Sequence, residues 1–358
     1  MVSRLGRLQR LALAAGAAAS LAYPGTAGAA DPAFSLHGSV DVGVDSNPRR
    51  VFNNVEPPDG MGSALVQAAA RVPIGFMELG GSYEAAARKF LMIFSEDTVA
   101  QQAGVELAAR PLASVSVALD GQAKDRRGGG RQYTDLQGAL ALRWRAVPEL
   151  EMEVRGGAHR FINRLVFEYS FSTPELGGRV KYRFNRRHSL SLGGELGYRR
   201  YNELVHIDPS IPDPPEVQRE DSVLSAAASY AYRGEYQLSA GYRYYSEDSN
   251  SQGESVRFHQ VDLALGTPLP WVEGVLLFAQ LTLQLADYPD GIFLSSDDQK
   301  YFLKPDDERH NALILKLARP LGDQVDVELR YGLYLNVLPE NDLFFLRQVA
   351  SVGLTMRM

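Results

Sequence analysis

Apolar residues at every second position, sustained over nearly the whole chain, narrow what this sequence can become more than any other feature. About sixteen segments of roughly 10–13 residues repeat the pattern, and short and long connections take turns between them. In one segment Val325, Val327, Leu329, Tyr331, Leu333 and Leu335 share a face, while Asp326, Glu328, Arg330 and Asn336 share the other. A strand has a side-chain period of two, so one face is greasy and the other wet. A helix would scatter the same charges around its circumference. The split recurs in Leu277–Leu285 and in Leu136–Trp144.

Strands of this length suit a tilted crossing of a hydrocarbon layer, whereas sandwich strands are commonly half as long. The expected fold is all-β: one transmembrane, antiparallel, up-and-down barrel of about sixteen strands, with fourteen and eighteen as the neighbouring even counts. Tight links such as Arg110-Pro111 and Arg233-Gly234 fall on one side. Longer stretches, among them Ala87–Asp97, Ala123–Arg131, Asn163–Ser170 and Asn202–Arg219, fall on the other. That arrangement predicts short periplasmic turns, longer extracellular loops and both termini on the periplasmic side. The strands flanking two of those loops read as Leu112–Gln122, His188–Tyr201 and Glu220–Tyr232.

The first thirty residues read as an export signal. Arg4, Arg7 and Arg10 precede an apolar run from Leu11 to Ala22, and Ala27-Gly28-Ala29 supplies a small-residue cleavage site. The expected domains are a cleaved signal over 1–30 and a barrel over 31–358. The expected location is the bacterial outer membrane, reached through the periplasm. Removing the signal takes three arginines and no acids, leaving 34 basic against 43 acidic residues, or −9. A net acidic chain argues against a nucleic-acid partner. With 0 cysteines, thiolate metal sites and disulfide scaffolds are excluded.

Aromatic residues sort by strand end. Trp144, Tyr182, Phe184, Tyr230, Tyr232 and Tyr236 fall near short turns, and Tyr83, Tyr198, Tyr201, Tyr242 and Tyr244 toward long loops. Two interfacial girdles account for that distribution. The wet face carries both signs of charge. Arg143, Arg145, Arg155, Arg179, Lys181, Arg183 and Arg199 cluster on neighbouring strands. The acidic positions are Glu78, Glu84, Glu106, Asp120, Asp326 and Glu328, with Lys316 and Arg330 among them. These are the candidate pore-lining residues, since opposed charge across a wet bore favours polar solutes. Pairing between neighbouring strands explains the same residues.

No metal or cofactor site is expected. Asp297, Asp298, Asp306 and Asp307 lack the spacing of a calcium loop and read as solvated acids. No catalytic residues are expected either: His259 near Ser246 and Ser255 has no evident third group. Asn202–Arg219 and Asp287–Glu308 are the segments long enough to fold inward as a constriction.

Two stretches carry a resemblance. Val42-Gly43-Val44-Asp45-Ser46-Asn47-Pro48 resembles the opening strand of many Gram-negative outer-membrane barrels of porin-like type. Asn341-Asp342, Phe344-Phe345, Arg347 and Val352–Met358 resemble their closing hairpin. The resemblance implies outer-membrane lipid, lipopolysaccharide and the barrel-assembly machinery as partners. It also implies passage of small polar solutes, with polymer export and a closed adhesive barrel as the alternatives. Outward alanines such as Ala64, Ala68 and Ala103 fit a homo-oligomer and lipid contact equally well.

Overall fold

The structure, a computed structural model, describes residues 33–49, 57–206, 216–251, 254–289, 311–338 and 343–358. Sixteen strands run in chain order. They are β1 (Ala33–Asp45), β2 (Asp59–Ile74), β3 (Met77–Phe90), β4 (Thr98–Leu112), β5 (Val115–Gly128), β6 (Tyr133–Val147), β7 (Leu150–Asn163) and β8 (Phe171–Arg183). There follow β9 (His188–His206), β10 (Glu216–Arg233), β11 (Gln237–Ser249), β12 (Val256–Pro268), β13 (Leu276–Asp287), β14 (Ala312–Pro320), β15 (Val325–Leu338) and β16 (Leu343–Arg357). Each strand pairs antiparallel with its sequence neighbours, and β1 pairs with β16, which closes the barrel. The strand count and topology agree with the alternation. Among the described residues no helix is long and apolar enough to cross a membrane.

The two faces separate as the period of two demands. Leu140, Leu176 and Leu196 point outward and are 55–57 % exposed. Their sequence neighbours Ala139 and Ala141 turn inward and are buried.

The alternation of short and long links is not kept on the loop side. Residues 129–132 join β5 to β6 as tightly as residues 184–187 join β8 to β9. β5 continues through Lys124, Asp125, Arg126 and Arg127, and β9 and β10 run on to His206 and from Glu216. The turn after β5 depends on glycine. Gly128 has a φ of +83°, and a Cβ there would lie 1.9 Å from the Asp97 carbonyl oxygen. Of the two segments expected to constrict the bore, residues 207–215 and 290–308 lie outside the described residues, as do residues 1–30 and the four aspartates from Asp297 to Asp307, while Asn202–His206 and Glu216–Arg219 belong to β9 and β10.

The two stretches singled out in the sequence meet at the seam. Arg347 donates through Nε to both carboxylate oxygens of buried Asp45, at 3.0 and 2.9 Å. Asn47 donates its backbone N–H to Asp45 Oδ1 at 3.1 Å and its Nδ2 to the Leu346 carbonyl at 3.2 Å. The Gln348 N–H reaches Ser46 Oγ at 2.8 Å. Gly43 lets the strands approach: a Cβ there would sit 2.2 Å from the Ala350 carbonyl oxygen.

Candidate functional site: the charged inner face

Register places the candidate pore-lining residues named from the sequence on the face opposite the outward leucines. The cations of β6 to β8 form a lattice toward the turn end. Arg143 and Arg179 share Glu153 at 2.6 and 3.0 Å. Arg145 and Arg183 flank Glu151 at 3.5 and 3.7 Å. Arg155 reaches Asp120 at 2.9 Å, and Arg143 approaches Glu106 at 3.8 Å. These arginine side chains keep roughly a third to a half of their surface in solvent. Lys181 has no ion pair among the described residues; the charges acting on it are Arg183, Glu151, Arg233 and Arg179. Cations outnumber acids here, so the lattice presents a positive surface to the barrel interior.

Elsewhere the pairs are local. Arg71 lies 3.8 Å from Glu78, Lys316 lies 2.6 Å from Glu328, and Gln67 donates to Glu84 at 2.5 Å. Asp326 is fully buried and paired with Arg357. Cross-strand partners on one face of a sheet account for these contacts.

Nearer the loop end of the same wall lies a dry cluster that sequence reasoning missed. Tyr133, Phe161, Phe171 and Tyr201 line up across β6 to β9 with ring centroids 5.1–5.3 Å apart, all buried. Arg199 covers Phe171 at 4.8 Å and Arg219 covers Tyr201 at 4.1 Å. Glu247, with no exposed surface, accepts from Arg199 at 2.9 Å, Tyr201 at 3.2 Å and Tyr245 at 2.7 Å. Arg219 in turn meets Asp221 at 3.1 Å, Glu203 at 3.2 Å and Glu254 at 3.0 Å. His159 borders the cluster, with Asp135 at 3.0 Å, Glu175 at 3.4 Å and an edge contact to Phe171.

Arg199 therefore belongs to this packed cluster and not to the half-exposed lattice. Tyr201 is also corrected. It points inward among these rings instead of joining an outer girdle, because it shares its parity with Arg199 and not with outward Tyr198.

No known family model matches the chain, and no curated protein does. Among solved structures it is similar to a loop L8 deletion mutant of OmpT, an outer membrane protein of Vibrio cholerae. That match has 10% identity, covers 92% of this chain and 100% of that one, and has a TM-score of 0.48. It is similar also to OccAB3 of Acinetobacter baumannii, at 9% identity over 92% and 99% of the two chains, TM-score 0.47. A deltaS2 mutant of the TodX monoaromatic hydrocarbon channel matches at 8% identity over 91% and 90%, TM-score 0.42.

Among the described residues no hydrogen bond joins the outward histidine singled out earlier to a serine. His259 Nδ1 lies 2.7 Å from the Tyr242 hydroxyl, while Ser246 donates to Asp248 at 3.3 Å and Ser255 accepts from the Ser249 N–H at 3.2 Å. Among the described residues no group of three or more His, Cys, Asp and Glu side chains is arranged to hold a metal ion.

Proposed function

We propose that the chain is a porin-like channel of the bacterial outer membrane that passes small polar solutes. In this reading the half-exposed lattice of Arg143, Arg145, Arg155, Arg179, Lys181 and Arg183 lines the bore. Glu78, Glu106, Asp120 and Glu328 set the opposing charge. One observation carries it: a closed barrel of this strand number, apolar outside, holds charged side chains inside that remain open to solvent. Sixteen strands are enough to enclose water, whereas eight are filled by side chains. An apolar outer face in contact with water would be a large aggregation surface, and lipid removes that cost. The Asp45–Asn47 junction with Arg347 supports grouping the chain with barrels that open on an aspartate-serine-asparagine strand.

The test is conductance in planar bilayers under a salt gradient. The wild-type chain passes current with a preference for anions. The Arg179→Glu, Arg183→Glu double variant shifts the reversal potential toward cations, because like charges along a narrow wet path act through a high-field, low-dielectric wall. A wild-type chain that inserts but carries no current sinks the proposal.

A further inference from the structure

Charged residues on the outer face of the barrel have no part in a bore. The outward face of β7, β8 and β9 changes character within one step of register. Leu176 and Leu196 pair across β8 and β9, with Pro174 and Tyr198 above them. Next comes a polar row, Arg160 on β7, Ser172 on β8 and Arg200 on β9, successive partners in the ladder. Their inward neighbours are His159, Phe161, Phe171, Thr173, Arg199 and Tyr201, all in the dry cluster or beside it. The polar row therefore points away from the barrel axis, directly above the apolar belt.

Arg160 makes no ion pair among the described residues. Its Nη1 donates to Ser172 Oγ at 2.6 Å, which holds the guanidinium over β8. Arg200 lies over the Tyr198 ring at 5.5 Å, has Glu220 at 3.3 Å from Nε, and keeps 64 % of its side chain exposed. The two arginines sit two strand spacings apart, about 10 Å between their backbones. Arg164, in the link just above, bonds Thr134 and Asp125 and stays exposed. Lys89, Arg127 and Arg257 likewise point outward at the loop ends of β3, β5 and β12.

An outward arginine at the edge of a hydrocarbon layer is held where anionic headgroups lie, because its stem can pass along apolar surface while the guanidinium stays wet. Planar guanidinium groups bind phosphate oxygens through paired, charge-assisted hydrogen bonds. We infer that Arg160, Ser172 and Arg200 form a phosphate-binding row for a phosphorylated glycolipid of the outer leaflet, lipopolysaccharide being that class of lipid. This rests on the outer-membrane reading above but not on the bore conducting.

The purified full chain in neutral detergent is mixed with a bisphosphorylated acyl-diglucosamine, with its dephosphorylated form, and with inorganic phosphate. Bound species are then counted by native mass spectrometry. The expected result is retention of the phosphorylated glycolipid and about tenfold weaker retention of the dephosphorylated one, as loss of charge-assisted bonds worth about 1.4 kcal/mol implies. The Arg160→Glu, Arg200→Glu variant loses the difference, whereas Arg160→Lys, Arg200→Lys keeps part of it. Both variants migrate as folded barrels before heating and keep wild-type ion selectivity, which separates this row from the channel. Equal retention of the two glycolipids overturns the inference, as does binding of inorganic phosphate as tight as the lipid. Retention unchanged in a folded glutamate variant also overturns it.

Discussion

Two clusters of arginine and carboxylate share the β6–β11 wall, and they differ in how much water reaches them. Near the loop end, Glu247 and Asp221 have no exposed surface, and Arg219 is wedged between Tyr201 and three acids. Toward the turn end, Glu153 and Glu151 hold four arginines that stay about one-third or more exposed. The charge balance differs as well. Acids outnumber arginines in the dry cluster, and cations outnumber acids in the wet lattice. The contrast teaches that the same pair of side chains serves different ends according to its desolvation. A buried pair is costly to leave half-made, whereas a solvated one contributes little to stability and acts through its field.

The largest effect should come from Glu247→Ala, which strands Arg199 and two tyrosine hydroxyls in a dry site. We expect a loss of about 3–5 kcal/mol, the cost of breaking a buried pair, read as a lower denaturant midpoint for the band shift between folded and heated barrel. An unchanged midpoint would erase the distinction between the clusters. Phe171→Leu comes next. It removes the ring that stacks on Phe161 and packs at a tilt against Tyr201, and a shape change of that size in a packed site costs about 1.5 kcal/mol. The smallest stability effect belongs to Arg179→Ala in the wet lattice, below about 1 kcal/mol. Its signature is electrical: reversal potential moves toward cations, and the shift shrinks as salt approaches 1 M, where screening acts within about 3 Å. A large stability loss at Arg179 with no electrical change would make the lattice a second structural core.

Much of this was written in the alternation. Sixteen strands, their antiparallel order and the inward parity of Arg143, Arg155, Arg179 and Asp120 all follow from a period of two. What escaped has a physical cause. Where β5 rises through Lys124, Asp125, Arg126 and Arg127, both faces are wet, so the hydrophobic contrast that marks a strand disappears. The ends of β9 and β10 were hidden likewise, and Arg219, read as a loop residue, proved to be a strand residue in the dry cluster. Tyr201 was recoverable: three positions from Tyr198, it must face the other way. The pairing of Arg219 with Asp221, Glu203 and Glu254 was not, because only the closed register brings those strands together.

The clasp between Asp45 and Arg347 joins residues 302 positions apart. Until the final strand arrives, the first has an open hydrogen-bonding edge, and such edges invite pairing with foreign chains. A ring fastened by its two extremities cannot be completed piecemeal during synthesis. Until the last hairpin docks both raw borders stay open, and a chain shortened by that hairpin would remain an unsealed sheet.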